Sequence, residues 1–269
     1  LLLFGTLIII LGLLFVNTRL FQFAILFKKV EEVDKMKDEF ISMASHELRT
    51  PITAIRGYLS MFIDGSFGVM SDGAKKGIDI MNASINRLKD LVEDLLDVSR
   101  IEQQRVQLDL VAVDLTKSIT ETIDELSITA KEKNLEVRFE QTGTIPAVYA
   151  DQDKMKQVFV NLIGNAIKYT KKGSVVVSAK VDEKQVLVKI KDTGIGMGAK
   201  DREQLFTKFY RVSNEQTKGI VGTGLGLWIT KQLIELIGGE ITVDSMENVG
   251  TEMTFSLPLF TGQAIQKKN

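Results

Sequence analysis

Residues 40–51 read Phe40-Ile41-Ser42-Met43-Ala44-Ser45-His46-Glu47-Leu48-Arg49-Thr50-Pro51. Apolar residues recur through and beyond this run at spacings of three and four, the signature of one face of an α-helix. Val33, Met36, Phe40 and Met43 form one seam, and Ala44, Leu48, Ile52, Ile55, Leu59 and Phe62 form another. The step from Met43 to Ala44 shifts the seam by one residue, a local break in heptad phase. His46 is the only histidine of the chain. It lies two residues past Ala44 and two before Leu48, so it points away from the seam. Pro51 lacks an N–H and crowds the carbonyl of Glu47, which predicts a kink or loosening just there.

Working outward, Asp64-Gly65-Ser66-Phe67-Gly68 and Ser71-Asp72-Gly73 mark a turn. A second periodic run, over about 74–103, carries Ile78, Met81, Ile85, Leu88, Val92 and Leu95. Two helices with such narrow apolar stripes cannot bury them alone. A second copy completing a four-helix bundle would, so a homodimer is expected, with the seam methionines in its core.

On the other side, residues 1–16 read LLLFGTLIIILGLLFV, and no charge stands before Arg19. At 1.5 Å per residue they span about 24 Å, against a hydrocarbon core of roughly 30 Å. The first residue is not Met, which suggests a fragment beginning inside a longer spanning helix. A second apolar patch, 20–27, is closed by Lys28-Lys29, a basic flank that places the remainder of the chain on the cytoplasmic side. Residues 1–29 therefore read as a transmembrane segment and juxtamembrane stretch. The competing signal peptide lacks a small-residue cleavage pattern.

Composition narrows the chemistry. The 269 residues carry 34 Lys plus Arg against 35 Asp plus Glu, a net charge of −1, so no nucleic-acid partner is expected. The absence of cysteine excludes disulfides, zinc–thiolate sites, iron–sulfur clusters and cysteine nucleophiles. A single histidine excludes His-rich metal sites.

From about residue 111 strands and helices alternate. Helices are predicted over 116–133, 151–169 and 223–237. Strands are predicted over 135–141, 174–181, 185–191, 240–245 and 252–257, with a hairpin about Glu183. The pattern predicts an α/β sandwich with antiparallel strands, not a βαβ ladder, joined to the helices by a linker over 104–113. The P-loop pattern is absent, and no GxGxxG stands in a Rossmann-like unit. Two other glycine clusters occur: Asp192-Thr193-Gly194-Ile195-Gly196-Met197 and Gly222-Thr223-Gly224-Leu225-Gly226-Leu227. The second runs directly into a helix, so backbone N–H groups at the helix start face one anion site. Between them, residues 212–221 are polar and glycine-flanked, a candidate mobile lid. Trp228 is expected in the core.

The run 40–51 resembles the phospho-acceptor box of sensor histidine kinases. Asn161-Leu162-Ile163-Gly164-Asn165-Ala166-Ile167-Lys168-Tyr169-Thr170 resembles the N box of that family. The glycine clusters resemble its G1 and G2 boxes, and Leu205-Phe206-Thr207-Lys208-Phe209-Tyr210-Arg211 its F box. The resemblance spans roughly residues 30–260, in five ordered motifs. It implies an α+β chain: a helical hairpin forming a dimeric four-helix bundle, then an α/β sandwich of the Bergerat (GHKL) type, with an N-terminal transmembrane segment. The implied domains are 1–29 (membrane), 30–103 (dimerisation and histidine phosphotransfer), 104–113 (linker), 114–260 (catalytic, ATP-binding) and 261–269 (tail).

By that resemblance His46 attacks the γ-phosphate of ATP, and Glu47 hydrogen-bonds the other ring nitrogen and acts as base. Thr50, one turn on, positions a water that dephosphorylates the partner protein. A neutral imidazole is a competent nitrogen nucleophile, and an adjacent carboxylate stabilises its developing charge. Asn165 coordinates Mg²⁺ and Asn161 supports it. Hydrolysing relatives keep a glutamate where Asn161 stands, and an asparagine cannot be that base. Lys168 reaches the phosphates, and Tyr169 packs near the adenine. Asp192 accepts the adenine amino group with Thr251 in support, and Gly194 and Gly196 let backbone approach the base. Gly222, Gly224 and Gly226 hinge the lid and bind phosphates, and Arg211 neutralises the γ-phosphate in transfer. The implied protein is a membrane-bound homodimeric kinase using ATP and Mg²⁺, with its kinase domains on the cytoplasmic side. It passes the phosphoryl group to an aspartate on the receiver domain of a response regulator. The competing functions are a hydrolysing Bergerat ATPase and a non-catalytic dimeric scaffold. No HAMP module stands between Lys29 and the hairpin, so signals are expected to arrive as tilt or rotation of the first helix.

Overall fold

The structure, a computed structural model, describes residues 2–68, 70–220 and 222–260. The side chains of residues 2–11, 24, 31–35, 37–42, 45 and 46 lie outside the description, as does the expected tail, 261–269. The chain divides into two units, Leu1–Gln103 and Gln104–Asn269.

The first unit is a helical hairpin. Helix α1 (Leu2–Ile63) runs without a break from the apolar N-terminal stretch through the histidine run, and Pro51 lies inside it. Helix α2 (Asp72–Glu102) starts at an N-cap, Ser71, whose Oγ accepts the Ala74 N–H at 3.3 Å. Such a cap contributes about 1 kcal/mol. Ile52 and Leu59 of α1 bury against Ile78, Ile85 and Val92 of α2, with Phe62 and Met70 packed on the edge. Within each helix these buried positions are seven residues apart, so each stripe is half used. Leu48 and Ile55 of α1 and Met81 and Leu88 of α2, at the intervening heptad positions, are exposed. Met43 and Met81, expected in the core of a two-copy bundle, are likewise exposed in the single chain.

Among the described residues no helix is long and apolar enough to cross a membrane, so the expected transmembrane segment over 1–29 gains no support there. Asn17, Thr18 and Arg19 interrupt the apolar run, and Lys28-Lys29 closes the second patch, 20–27.

The second unit lays helices on one face of a sheet. Its elements are β1 (Val111–Val113), α3 (Leu115–Glu132), β2 (Glu136–Thr142), β3 (Val148–Ala150), α4 (Gln152–Tyr169), β4 (Ser174–Asp182), β5 (Gln185–Asp192), α5 (Ala199–Gln204), α6 (Gly226–Ile237), β6 (Ile241–Met246) and β7 (Gly250–Pro258). The main sheet has the order β2-β4-β5-β7-β6, and β1 pairs with β3 alone. All neighbours are antiparallel except β2 and β4, which are parallel. This corrects the all-antiparallel expectation. The chain leaves β2, passes through β3 and α4 and returns beside β2, and such a helical crossover delivers a parallel strand. Strand β1 also occupies part of the stretch read as a linker.

Alternation sets the core. Val175, Val177 and Ala179 of β4, Val186, Val188 and Ile190 of β5, and Met253, Phe255 and Leu257 of β7 are buried on one face. Opposite them lie Met155, Phe159, Leu162, Ile163 and Ile167 of α4 and Ile229, Leu233 and Ile237 of α6. The Phe159 and Phe255 rings meet with centroids 5.9 Å apart. Each such buried side chain contributes about 1.5–3 kcal/mol. The opposite face of the sheet stays in water, as one-sided antiparallel sheets allow.

Candidate functional site

The end of α4, the loop after β5, the start of β7 and the start of α6 converge. Asp192 closes β5 with its side chain buried. Its Oδ1 accepts the N–H of Gly194 at 2.8 Å and of Thr251 at 3.3 Å. Both bonds fall on one oxygen, which leaves Oδ2 to accept from a ligand. Burial pushes the Asp192 carboxyl above the usual carboxylate range, and the two N–H groups hold part of that rise back. Thr251 supports Asp192 through its backbone, because its hydroxyl lies 2.9 Å from Ser245 Oγ.

The glycines of the first cluster serve backbone packing. Gly196 has φ +61°, and a Cβ there would stand 1.9 Å from the Met246 carbonyl oxygen. At Gly194 a Cβ would stand 2.6 Å from the Tyr169 carbonyl oxygen. Both glycines thus seat the loop on α4 and the β6–β7 turn.

The two asparagines of α4 are wired to α6. Asn161 Nδ2 donates to Thr230 Oγ1 at 2.7 Å, and Asn165 Nδ2 donates to Asn161 Oδ1 at 3.2 Å. This chain leaves Asn165 Oδ1 as a hard oxygen donor. One amide oxygen suits a cation that keeps several waters and shares the phosphates of a nucleotide. Among the described residues no group of three His, Cys, Asp or Glu could cage a metal.

Cations gather beside these groups. Burial lowers the Lys168 ammonium below the usual lysine range, and the charges of Arg211 and Lys133 lower it further. Its Nζ stands 5.3 Å from the centroid of the Tyr169 ring. Burial raises the half-buried Tyr169 hydroxyl. Among the described residues neither Lys168 nor Arg211 has a carboxylate partner. Gly222 lies next to Lys168, its Cβ position 3.1 Å from Nζ.

Arg211 donates through Nη2 to the Ile220 carbonyl, tying the two ends of the loop between them. The loop is organised by Thr217, which donates to the Val212 carbonyl at 2.9 Å, and by Asn214 Oδ1, which accepts two backbone N–H groups. A pocket of about 810 Å³ lies against it, lined among others by Arg211, Asn214, Thr217 and Lys218. Gly224 adopts φ +75°, so α6 begins only at Gly226, three residues later than its sequence start. Trp228 is not a core residue: it is half-buried, with Lys208 Nζ 4.4 Å from its ring centroid.

His46, Glu47 and Thr50 all lie in α1. Glu47 and Thr50 are exposed, and the His46 side chain is outside the described residues.

Residues 36–104 match the His Kinase A (phospho-acceptor) domain, and residues 150–261 match the histidine kinase-, DNA gyrase B-, and HSP90-like ATPase domain. The chain belongs to the sensor histidine kinases. It is 37% identical over 231 residues to sensor histidine kinase WalK of Bacillus subtilis (strain 168), a match covering 85% of this chain and 38% of WalK. The chain thus spans less than half the length of that relative. Full-length ShkA in complex with AMPPNP superposes with a TM-score of 0.70 at 26% identity, over 82% of this chain and 46% of that one. Histidine kinase ThkA in complex with response regulator protein TrrA superposes at 0.58 and 27% identity, over 82% of this chain and 61% of that one.

Sequence reasoning missed two residues that hold α4 beside these groups, Thr230 and Lys133. Thr230 is a hydroxyl in an otherwise apolar helix face, a signal that could have been read. Lys133 looks like any lysine at a helix end.

Proposed function

We propose that this chain is the kinase core of a membrane-associated sensor histidine kinase that phosphorylates its own His46 from ATP. An imidazole nitrogen of His46 attacks the γ-phosphorus, the bond to the β–γ bridging oxygen breaks, ADP leaves, and the ring proton passes to Glu47. Lys168 and Arg211 hold the phosphates, Asp192 Oδ2 accepts the adenine amino group, Tyr169 packs beside the base, and Gly222, Gly224 and Gly226 shape the lid. Bound Mg²⁺ supplies charge neutralisation across the phosphates, with Asn165 as its protein ligand. The observation that carries the reading is the pair Lys168 and Arg211: a desolvated ammonium beside a guanidinium, with no carboxylate partner for either among the described residues. Such a pair favours a polyanion.

The exposed half-stripes of the hairpin, Leu48, Ile55, Met81 and Leu88, support a homodimer; sedimentation as a monomer would remove that part. The exposed apolar residues on either side of Arg19, including Phe15, Phe21 and Phe27, support attachment to a membrane, and the basic flank Lys28-Lys29 supports a cytoplasmic side for the kinase units.

The phosphoryl group then passes to an aspartate of a response regulator, and Thr50 positions the water that later removes it. The test is to label the chain from γ-labelled ATP, remove nucleotide, and add a receiver domain with Mg²⁺. Label should leave His46 and appear on the receiver. Label that stays on the chain with every receiver tried contradicts the transfer.

A further inference from the structure

We propose that Lys133 is a positioning residue for the nucleotide, fixing the backbone on both sides of Lys168. The proposal rests on the ATP site described above.

Helix α4 ends at Tyr169, so the carbonyls of residues 166–169 have no partner further along the helix unless the next turn supplies one. Each is accounted for. Ala166 accepts the Thr170 N–H at 3.1 Å and the Thr170 hydroxyl at 2.7 Å. Tyr169 accepts the Ile195 N–H at 3.2 Å. The middle two belong to one side chain: Lys133 Nζ donates to the Ile167 carbonyl at 2.9 Å and to the Lys168 carbonyl at 2.8 Å. Those two carbonyls belong to the peptide units before and after the Lys168 Cα. Gripping both sets the direction in which the Lys168 side chain leaves the helix, and Tyr169 is the very next residue.

The charge matters as well as the bonds. A helix C-terminus carries about half a negative charge, which would oppose a nucleotide polyanion at the end of α4. An ammonium seated on the carbonyls cancels it. Partial burial lowers the Lys133 ammonium from its usual range, and its charge-assisted bonds to the two carbonyls are stronger than neutral ones. Lys133 comes from the end of α3, 34 residues before Ile167, so α3 holds α4's end in place.

The test uses the 269-residue chain with ATP and Mg²⁺, by calorimetric binding and by autophosphorylation kinetics. Lys133→Met should raise the ATP dissociation constant about tenfold and raise KM with little change in kcat, because the lost interaction acts in ground and transition states alike. Lys133→Arg, which keeps charge and donors, should restore binding to within about threefold. If Lys133→Met does not fold, Lys133→Gln is read in its place. Wild-type affinity in the folded neutral variant overturns the proposal, as does an arginine variant no better than the neutral one. A wild-type chain that binds no ATP overturns the site itself; a binding wild type with an unaffected neutral variant overturns only the role of Lys133.

Discussion

Asp192→Asn should weaken ATP binding by about a hundredfold or more, and leave the ATP-binding unit at least as stable as before. The geometry makes the substitution asymmetric. Oδ1 already accepts two backbone N–H groups, from Gly194 and Thr251. The asparagine must keep its carbonyl oxygen there, which puts its NH₂ where Oδ2 was. That donor would face the adenine amino group, also a donor, and a buried mismatch of this kind costs about 10²-fold or more in affinity. Stability moves the other way, because burial of the charge raises the carboxyl above its ordinary range. A raised carboxyl in the folded state contributes stability at low pH and loses it as pH rises through the folded value. The uncharged variant escapes that loss. Its stability advantage should be largest near neutral pH and shrink in acid. Calorimetric ATP titration and urea unfolding at both pH values check this. Unchanged ATP affinity in the variant would remove Asp192 from the adenine site.

Gly196→Ala should destabilise the same unit by about 2–5 kcal/mol, summing a left-handed backbone penalty and overpacking. The residue sits at φ +61°, with a Cβ position 1.9 Å from the Met246 carbonyl oxygen. The loop has no room to retreat. The Ile195 carbonyl accepts the Asn248 N–H at 2.7 Å, and the Met197 N–H reaches Ser245 Oγ at 2.9 Å. Shifting it would also disturb the Ile195 bond to the end of α4. Gly164→Ala is the matched control. Gly164 lies inside α4, with nothing within 4 Å of its Cβ position, so alanine should stabilise the helix by up to about 1 kcal/mol. Equal unfolding midpoints for the two variants would contradict this picture of the loop.

Some of this architecture was legible in the sequence and some was not, for physical reasons. Strands β4 and β5 were readable because one face is buried and the other wet, which writes a period of two into Val175, Val177, Val186, Val188 and Ile190. Helix α4 was readable from its apolar face, though Asp151, read as its first residue, is its N-cap. Strands β1 and β3, three residues each, are too short to carry a period. The parallel pairing of β2 with β4 depends on where the crossover helix packs, which no local pattern records. The start of α6 was misplaced because a left-handed Gly224 postpones it. In the hairpin the stripes were visible, but a pattern of apolar positions does not say which half pairs within the chain. In the site, residue types pointed to chemistry, while their partners lie far along the chain: Asn161 meets Thr230 and Lys133 meets Ile167. Local reasoning cannot supply such pairs. Trp228 was assigned to the core by residue type alone, and Lys208 covers it instead.

Incubating the purified chain with ATP labelled at the γ-phosphate and Mg²⁺, then challenging the product with acid and alkali, tests the proposed phosphorylation of His46 most directly. The protein should carry label that acid removes and alkali does not, and His46→Ala should carry none. Free phosphate with an unlabelled chain, or undiminished label on His46→Ala, would contradict it.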